Sequence, residues 1–328
     1  MRYYWYIFGH TNWRANGNSC ELYGKELSSE PSYYIRGTDG HHSKRIESYN
    51  QLRILPRISY MVTRALEEKT DSDLLKIAMF SYPDPVNIQF LKEAKKLGVK
   101  TVYRCVDDWA TWNGIWYKVE NELQMIELAD ISVASSRKMA KVFKIPYLPN
   151  ACIKTYNHEV KEGKTVGFVG HADLSRFNMD LIHYLAKELP EASFELIGSD
   201  GYAGSRADNN VCIRPFVSHD VLIDYMRNFT IGIIPYRPTI GKDLSGTQPI
   251  KSWEYMACGI PQICTNGLDL PEHESVFVYC SYEDCARKIR NILSNRFDVE
   301  SIRNFSATNT WRHRVNEILK LLKLYDGI

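Results

Sequence analysis

The sequence of 328 residues lacks the marks of several large classes of protein. Its eight cysteines include no CxxC pair, and most stand in apolar segments, as Cys105, Cys212 and Cys264 do. This pattern predicts buried, reduced thiols rather than a disulfide framework or a zinc site. No apolar segment approaches the ~20 residues of a membrane-spanning helix, and no signal-peptide pattern is present. Together these absences predict a cytoplasmic protein.

The sequence also has little net charge and no dinucleotide fingerprint. A net charge of +2 provides no overall field that would attract nucleic acid, so we expect no nucleic-acid partner. No GxGxxG pattern follows the first predicted strand of either half of the chain. This absence argues against an NAD-dependent dehydrogenase.

What the sequence contains is a regular alternation of β-rich segments and amphipathic helical patterns. Helices with clear start and stop signals, such as 85–98, separate the predicted strands. This alternation indicates parallel βαβ units, so we predict an α/β protein of two Rossmann-like, doubly wound domains, at 1–157 and 158–328. Ligands of such sheets bind beyond the carboxyl ends of the strands. The predicted strands are 3–9, 32–37, 74–80, 100–106, 131–135, 146–150, 164–170, 193–198, 211–216, 230–236, 260–266 and 275–281.

The segment PIKSWEYMACG at 249–259 carries a base and an acid at helical spacing. Pro249 suits the start of a helix, where its missing N–H costs little. Lys251 and Glu254 are three residues apart and therefore share one face of the helix. The helix start and Lys251 suit phosphate oxygens, and the acceptor-only carboxylate of Glu254 suits a vicinal diol such as a ribose. The alternative is an ordinary surface Lys–Glu pair.

The same segment, continued as IPQICT, resembles the donor-binding segment of GT-B-fold glycosyltransferases. These nucleotide-sugar enzymes have two Rossmann-like domains that face each other across a cleft. VGFVGHADLSRF, VSHDVLIDYMRNFTIGIIPYRP and NTWRHRVNEILKLL are similar to further segments of the family in the family's order; the last resembles a closing helix that packs near the domain junction. The similarity is strong over 164–328 and thinner before it. The matched motif positions are Pro249, Lys251, Glu254, Tyr255, Ala257, Gly259 and Pro261.

The resemblance implies transfer from a nucleotide-diphosphate sugar, with no cofactor and no required metal. By the family pattern, Glu254 would hold the ribose hydroxyls, and the preceding loop and helix start would hold the diphosphate. The triplet Asp71-Ser72-Asp73 has the DxD form of metal-dependent glycosyltransferases of another fold, but it precedes a predicted strand, which indicates a solvated turn. The predicted donor-binding residues are Glu254, Lys251, Arg176, Gly170, His171, Tyr236, Thr247, Gln248, Pro249 and Ile250.

The chain departs from many retaining members of the family at one position. These members carry a second acid eight residues before the ribose-binding one, where this chain has Gly246. Asp107 and Asp108 follow a predicted strand, and one of them, with Asp108 favoured, is predicted to take the proton of an acceptor hydroxyl in an inverting reaction. Such an acidic pair resembles a subset of family members in bacterial capsule and cell-wall polysaccharide synthesis. The alternative is a turn in which an aspartate caps a helix.

The acceptor is predicted to be a glycan or a lipid-linked glycan bound by the first domain. The basic stretch with Arg53, Arg57 and Arg64 is typical of an ordinary helix with one packed face; the alternative is peripheral contact with the inner face of the membrane. Two other functions stay open, a non-hydrolysing nucleotide-sugar epimerase and a non-catalytic partner protein of the same fold. The predicted acceptor-side residues are His10, Asn12, Arg14 and Asn18.

Overall fold

The computed structural model describes residues 3–9, 32–36, 75–112, 117–157, 163–170, 176–198, 208–217, 219–237 and 243–323. The chain divides into two units. The first consists of Met1–Pro149 and Trp311–Ile328, and the second is Asn150–Thr310. Both contain a parallel sheet with helices between the strands, so the predicted α/β class is confirmed. In the described part of the chain, no helix is long and apolar enough to cross a membrane.

The first unit has a five-stranded parallel sheet in the order β2-β1-β3-β4-β5. Its described strands are β1 (Tyr3–Gly9), β2 (Ser32–Arg36), β3 (Leu75–Phe80), β4 (Lys100–Cys105) and β5 (Ile131–Ala134). Its described helices are α1 (Pro85–Lys96), α2 (Val119–Leu128), α3 (Arg137–Phe143) and, from the end of the chain, α9 (Trp311–Leu321).

The helix α9 is attached to the first unit by buried contacts. Arg314 Nε donates a hydrogen bond to the carbonyl oxygen of Pro149 at 3.0 Å. The guanidinium of the buried Arg104 lies 5.5 Å from the ring centroid of Trp311, which is fully buried. These contacts place α9 with residues far from it in sequence. The second unit accordingly begins at Asn150, a few residues before the predicted boundary, and ends before α9.

The second unit has a six-stranded parallel sheet in the order β11-β10-β9-β6-β7-β8. Its strands are β6 (Thr165–Val169), β7 (Ser193–Ile197), β8 (Val211–Arg214), β9 (Ile231–Ile234), β10 (Gln262–Thr265) and β11 (Val276–Tyr279). Its described helices are α4 (Met179–Glu188), α5 (His219–Met226), α6 (Ile250–Ala257), α7 (Tyr282–Ser294) and α8 (Val299–Ala307).

Local sequence signals explain where these elements form. The central strand β9 is buried at every residue, as expected for a parallel strand covered on both faces. Several helices begin after a polar residue whose side chain accepts a hydrogen bond from a first-turn amide. These N-cap residues are Ser136 for α3, Asn178 for α4, Ser281 for α7 and Asp298 for α8.

Two predictions from the sequence are wrong in detail. The segment 146–150 is not a strand; it pairs with β5 only through the bridge of Tyr147 to Ala134. Pro146 and Pro149 have no N–H group, so they cannot extend the ladder on either side. Cys212 is exposed rather than buried, because β8 is an edge strand of its sheet.

Replacement of Gly232 by alanine should destabilise the second unit. A Cβ at Gly232 would lie 2.4 Å from the ring of the fully buried Tyr255, so the ring or the strand would have to move. Overpacking of this kind costs about 1–3 kcal/mol. Urea denaturation should therefore show a lower midpoint for Gly232→Ala than for the native protein.

Gly163→Ala is the matched control. The nearest atom to a Cβ there is Thr230 Oγ1 at 3.5 Å, an ordinary contact, so its midpoint should stay close to the native value. Equal midpoints for the two variants would contradict the tight packing of Tyr255 against β9.

Candidate functional site

The sheet of the second unit reverses its strand order between β6 and β9. From β6 the chain proceeds outward through β7 and β8, and it then returns to the other side of β6 for β9, β10 and β11. The loops that follow the two central strands therefore diverge to opposite sides. Such a switch point leaves a crevice beyond the carboxyl ends of the strands, where doubly wound sheets bind ligands.

The phenol of Tyr255 fills the place where β6 and β9 part. The two strands pair only at Val166 with Ile231 and at Gly167 with Gly232. Beyond these pairs, the Tyr255 hydroxyl accepts a hydrogen bond from the Val169 amide at 3.2 Å. It lies 3.3 Å from the carbonyl oxygens of both Gly167 and Ile233, to which it can donate. This tyrosine of the motif therefore supports the crevice instead of lining it, and burial raises its pKa well above the ordinary value.

Lys251 brings three elements together at this crevice. Its ammonium nitrogen donates to the Tyr236 hydroxyl at 2.7 Å and lies 4.2 Å from the ring centroid of Phe168. Tyr236 follows β9, and Phe168 belongs to β6. A Cβ on Gly170, at the end of β6, would lie 2.9 Å from Lys251 Nζ, and Gly170 has a φ of +113°. Only glycine fits this backbone and leaves room for the ammonium group.

Glu254 lies one turn along α6 from Lys251 and is only 8% exposed. The alternative of a solvated surface Lys–Glu pair is therefore wrong. The ammonium of Lys251 instead faces the two aromatic rings described above. Ribose hydroxyls are hydrogen-bond donors of the kind that the sequence predicts for this acceptor-only carboxylate.

The loop before α6 is held by the start of the second unit. The side-chain amide of Asn150 donates to the carbonyl oxygen of Gln248 at 2.6 Å, and its backbone amide donates to Gln248 Oε1. The carbonyl oxygen of Thr247 accepts from the Asp269 amide at 3.1 Å. Pro249 is the N-cap residue of α6, and Ile250 is its first helical residue. The predicted loop and helix start therefore lie directly beside Lys251 in sequence and are fixed from two sides.

Arg176 lies beside a second arginine that the sequence analysis missed. Phe177 pairs with Tyr236 in an antiparallel bridge, and the Arg237 amide donates to the Arg176 carbonyl oxygen at 2.8 Å. Arg237 also lies 3.6 Å from Asp180. Its position directly after the predicted strand 230–236 is the signal that could have identified it. The other predicted residues, His171 and the acceptor-side His10, Asn12, Arg14 and Asn18, lie outside the described residues.

The two predicted catalytic aspartates follow β4 in the first unit. Asp108 is 7% exposed, and its Oδ2 accepts from Lys138 Nζ at 2.8 Å. Asp107 Oδ1 accepts from the Asp108 amide at 2.9 Å, and the Asp108 carbonyl accepts from Thr111 as a short 3-10 helix begins. The chain therefore turns into a short 3-10 helix after β4, while the Asp108 carboxylate contacts Lys138. In the first sheet the strand order reverses between β1 and β3. The aspartate pair follows β4, which is the neighbour of β3, so it lies one strand away from this switch point.

A buried acid near these aspartates was also missed. Glu122 on α2 is fully buried, and Tyr103 donates a hydrogen bond to its Oε1 at 2.6 Å. Oε2 has no hydrogen-bond partner within the described structure. Burial raises the pKa of this carboxyl group above its ordinary value, and the charge of Asp108 adds to the shift. The signal was its spacing of three from the buried Met125, which places it on the packed face of α2.

Comparisons with known proteins agree with this architecture. Residues 179–320 match the family model described as glycosyl transferase-like. No curated protein matches the chain. The fold resembles Anabaena Alr3699/HepE, solved in complex with UDP, with a TM-score of 0.71 at 14% identity over 99% of this chain and 100% of that one.

Two further structures have the same fold at low identity. The lipopolysaccharide outer core galactosyltransferase WaaB has a TM-score of 0.59 at 14% identity, covering 98% of this chain and 99% of that one. A Listeria monocytogenes protein described as a UDP-N-acetylglucosamine 2-epimerase has a TM-score of 0.57 at 9% identity, covering 99% and 98%. The predicted resemblance is confirmed at the level of the fold: the chain has the GT-B fold, and residues 179–320 match the glycosyl transferase-like model.

The stability of the native protein should fall with rising pH because of Glu122. The pKa of Glu122 is raised in the folded protein. Its contribution to the free energy of unfolding is therefore fully present below the pKa of the unfolded chain, about 4.3, and is lost as the pH rises through the pKa of the folded protein. Glu122→Gln cannot ionise. Urea denaturation from pH 4 to pH 8 should therefore show a free energy of unfolding that declines for the native protein relative to Glu122→Gln.

Glu120→Gln, at an exposed position of the same helix, is the control and should follow the native pH dependence. A native protein whose pH profile parallels that of Glu122→Gln would show that burial does not shift this group.

Proposed function

We propose that the protein transfers a sugar from a nucleoside-diphosphate sugar to a hydroxyl of a glycan or lipid-linked glycan. The uridine nucleotide is our choice of donor base because the HepE structures hold UDP and UDP-glucose. A role in bacterial surface polysaccharide synthesis is part of the proposal, supported by the likeness to WaaB. Peripheral membrane contact through the basic stretch around Arg57 also belongs to it, although that stretch lies outside the described residues.

The observation that carries the proposal is the arrangement at the switch point of the second unit. Lys251 stands at the ends of β6 and β9 beside Gly170, and the buried Glu254 follows one turn later. The ammonium group of Lys251, next to a glycine without a side chain, can bind the oxygens of a diphosphate. The carboxylate of Glu254 can accept hydrogen bonds from the two hydroxyls of a ribose. We infer that the nucleotide lies along the first turns of α6, with Arg176 as a further phosphate contact.

The proposed reaction is a direct, inverting displacement that needs no metal. The oxygen of the acceptor hydroxyl forms a bond to the anomeric carbon, and the bond from that carbon to the diphosphate oxygen breaks. The nucleoside diphosphate leaves with the bonding electron pair, and the hydroxyl proton passes to the carboxylate of Asp108 or Asp107. Lys251, Arg176 and the amides at the start of α6 stabilise the negative charge on the leaving group. Lys138 already occupies Oδ2 of Asp108, so Oδ1 is our choice for the proton.

A nucleotide-sugar epimerase is the second candidate, favoured by the likeness to the Listeria monocytogenes protein. Such an enzyme would change the configuration of the sugar without any acceptor. Incubation of UDP-N-acetylglucosamine with the protein alone, followed by NMR of the sugar, distinguishes the two. A new sugar epimer would support the epimerase and count against transfer.

Glu254→Ala should weaken binding of UDP by about 10–100-fold, because hydrogen bonds to a charged group are lost. Titration calorimetry with UDP and with 2′,3′-dideoxy-UDP tests the assigned role. The variant should lose affinity for UDP but bind the dideoxy nucleotide about as well as the native protein does.

Glu274→Ala removes an exposed glutamate of the same unit and should bind both nucleotides like the native protein. Equal losses of affinity for both nucleotides in Glu254→Ala would contradict a ribose contact. Failure of the native protein to bind any nucleoside diphosphate would contradict the proposed donor.

Asp108→Asn should lower the turnover of sugar transfer by about 10²–10⁴-fold if this residue is the base. Asp107→Asn serves as its matched neighbour and should have the smaller effect. Release of UDP from UDP-glucose in the presence of a panel of glycan and lipid-linked acceptors measures turnover. NMR of the product gives the anomeric configuration.

Full turnover in both aspartate variants would show that neither residue acts as the base. A product with the same anomeric configuration as the donor would contradict inversion even if either variant is inactive.

A further inference from the structure

The hydrogen bond between Lys251 and Tyr236 has only one possible direction. An ammonium group carries three N–H donors and no acceptor, so the Tyr236 hydroxyl oxygen must accept. The distance of 2.7 Å is that of a strong, charge-assisted bond. Because its oxygen faces Lys251, the hydroxyl must direct its own proton to another acceptor.

The position of Tyr236 is fixed by its backbone as well as by its side chain. Its carbonyl oxygen accepts a hydrogen bond from Thr265 Oγ1 at 2.6 Å, and Tyr279 lies 2.6 Å from the same hydroxyl. The single proton of Thr265 is used on a carbonyl group, so Tyr279 donates to Thr265. Together with the bridge to Phe177, this chain of bonds holds Tyr236 in one place.

The ammonium group of Lys251 lies against two aromatic rings at the crevice. The rings of Phe168 and Tyr236 lie 4.2 Å and 4.9 Å from the nitrogen, a distance at which aromatic faces attract a cation. Gly170 leaves space beside the ammonium group of Lys251, because a Cβ at this position would lie 2.9 Å from Nζ. Tyr236 itself is only partly buried.

We propose that Tyr236 and Lys251 act as one paired donor to a phosphate group of the nucleoside diphosphate. The ammonium supplies the charge and the phenol supplies a hydrogen bond of fixed direction, both at the open backbone of Gly170. The proposal rests on the proposed function and adds to it a specific role for the phenol. Tyr236 therefore recognises the phosphates and contributes nothing to binding of the nucleoside.

The test compares ligands that share a nucleoside and differ in phosphates. UDP and uridine are titrated by NMR into the native protein, Tyr236→Phe and Lys251→Met. Tyr236→Phe keeps the ring that faces Lys251 and removes only the hydroxyl. It should weaken UDP binding about 10-fold and leave uridine binding unchanged. Lys251→Met should weaken UDP more strongly, again without an effect on uridine.

Because the two groups act together, the double variant should lose less affinity for UDP than the sum of the two single losses predicts. Tyr282→Phe is the control; its hydroxyl donates to Asn178 Oδ1 at 2.9 Å, so it removes a phenol of the same unit outside the pair. It should bind UDP like the native protein.

Equal losses for UDP and uridine in Tyr236→Phe would show a purely structural role and overturn the inference, as would an unchanged affinity for UDP. Thermal unfolding of each variant confirms that it is folded. These outcomes differ from failure of the proposed function, in which the native protein binds neither UDP nor uridine and Tyr236 has no phosphate to recognise.

Discussion

The hydroxyl of Tyr255 is the interaction on which the crevice of the second unit depends. It accepts from the Val169 amide and can donate its one proton to the carbonyl oxygen of Gly167 or of Ile233, so it contacts both strands where they no longer pair. Without it, the buried Val169 amide would lose this partner, and an unpaired buried amide costs about 1–3 kcal/mol. Gly232 makes the space for its ring. Lys251, on the same helix, lies beside Tyr236 and Gly170, which follow these two strands.

Helix α6, which carries Tyr255, is held in place by the first residues of the second unit. Cys152 packs against Trp253 and Ala257 of α6, and the Tyr156 amide donates to the Ala257 carbonyl oxygen at 2.9 Å. Gln248 adds the bonds to Asn150. Residues 150–157, which follow directly from the first unit, thus touch both the loop before α6 and its far end. The helix start that we assign to the phosphates is built against residues close in space and about a hundred positions away in sequence.

Much of this architecture follows from the sequence, because it depends on local signals. Alternating buried strands and capped helices predict the two parallel sheets, and the motif around α6 identifies Lys251 and Glu254 as the residues beside the switch point. Contacts between distant segments were not predictable in the same way. To predict the role of Tyr255, one would need to know that α6 packs under β6. To predict the burial of Glu122, one would need to know which face of α2 meets the sheet. The segment 146–150 was predicted as a strand, but its two prolines have no N–H group to extend the ladder.

The attachment of α9 to the first unit has a consequence for how the protein is made. Trp311 is fully buried, and it begins the C-terminal segment of a unit whose first segment ends at Pro149. This unit therefore remains incomplete on the ribosome until the entire second unit has emerged. The second unit is continuous in sequence and can close as soon as its own strands are synthesised. Although domains nearer the N-terminus generally fold first during translation, the order of completion here is reversed.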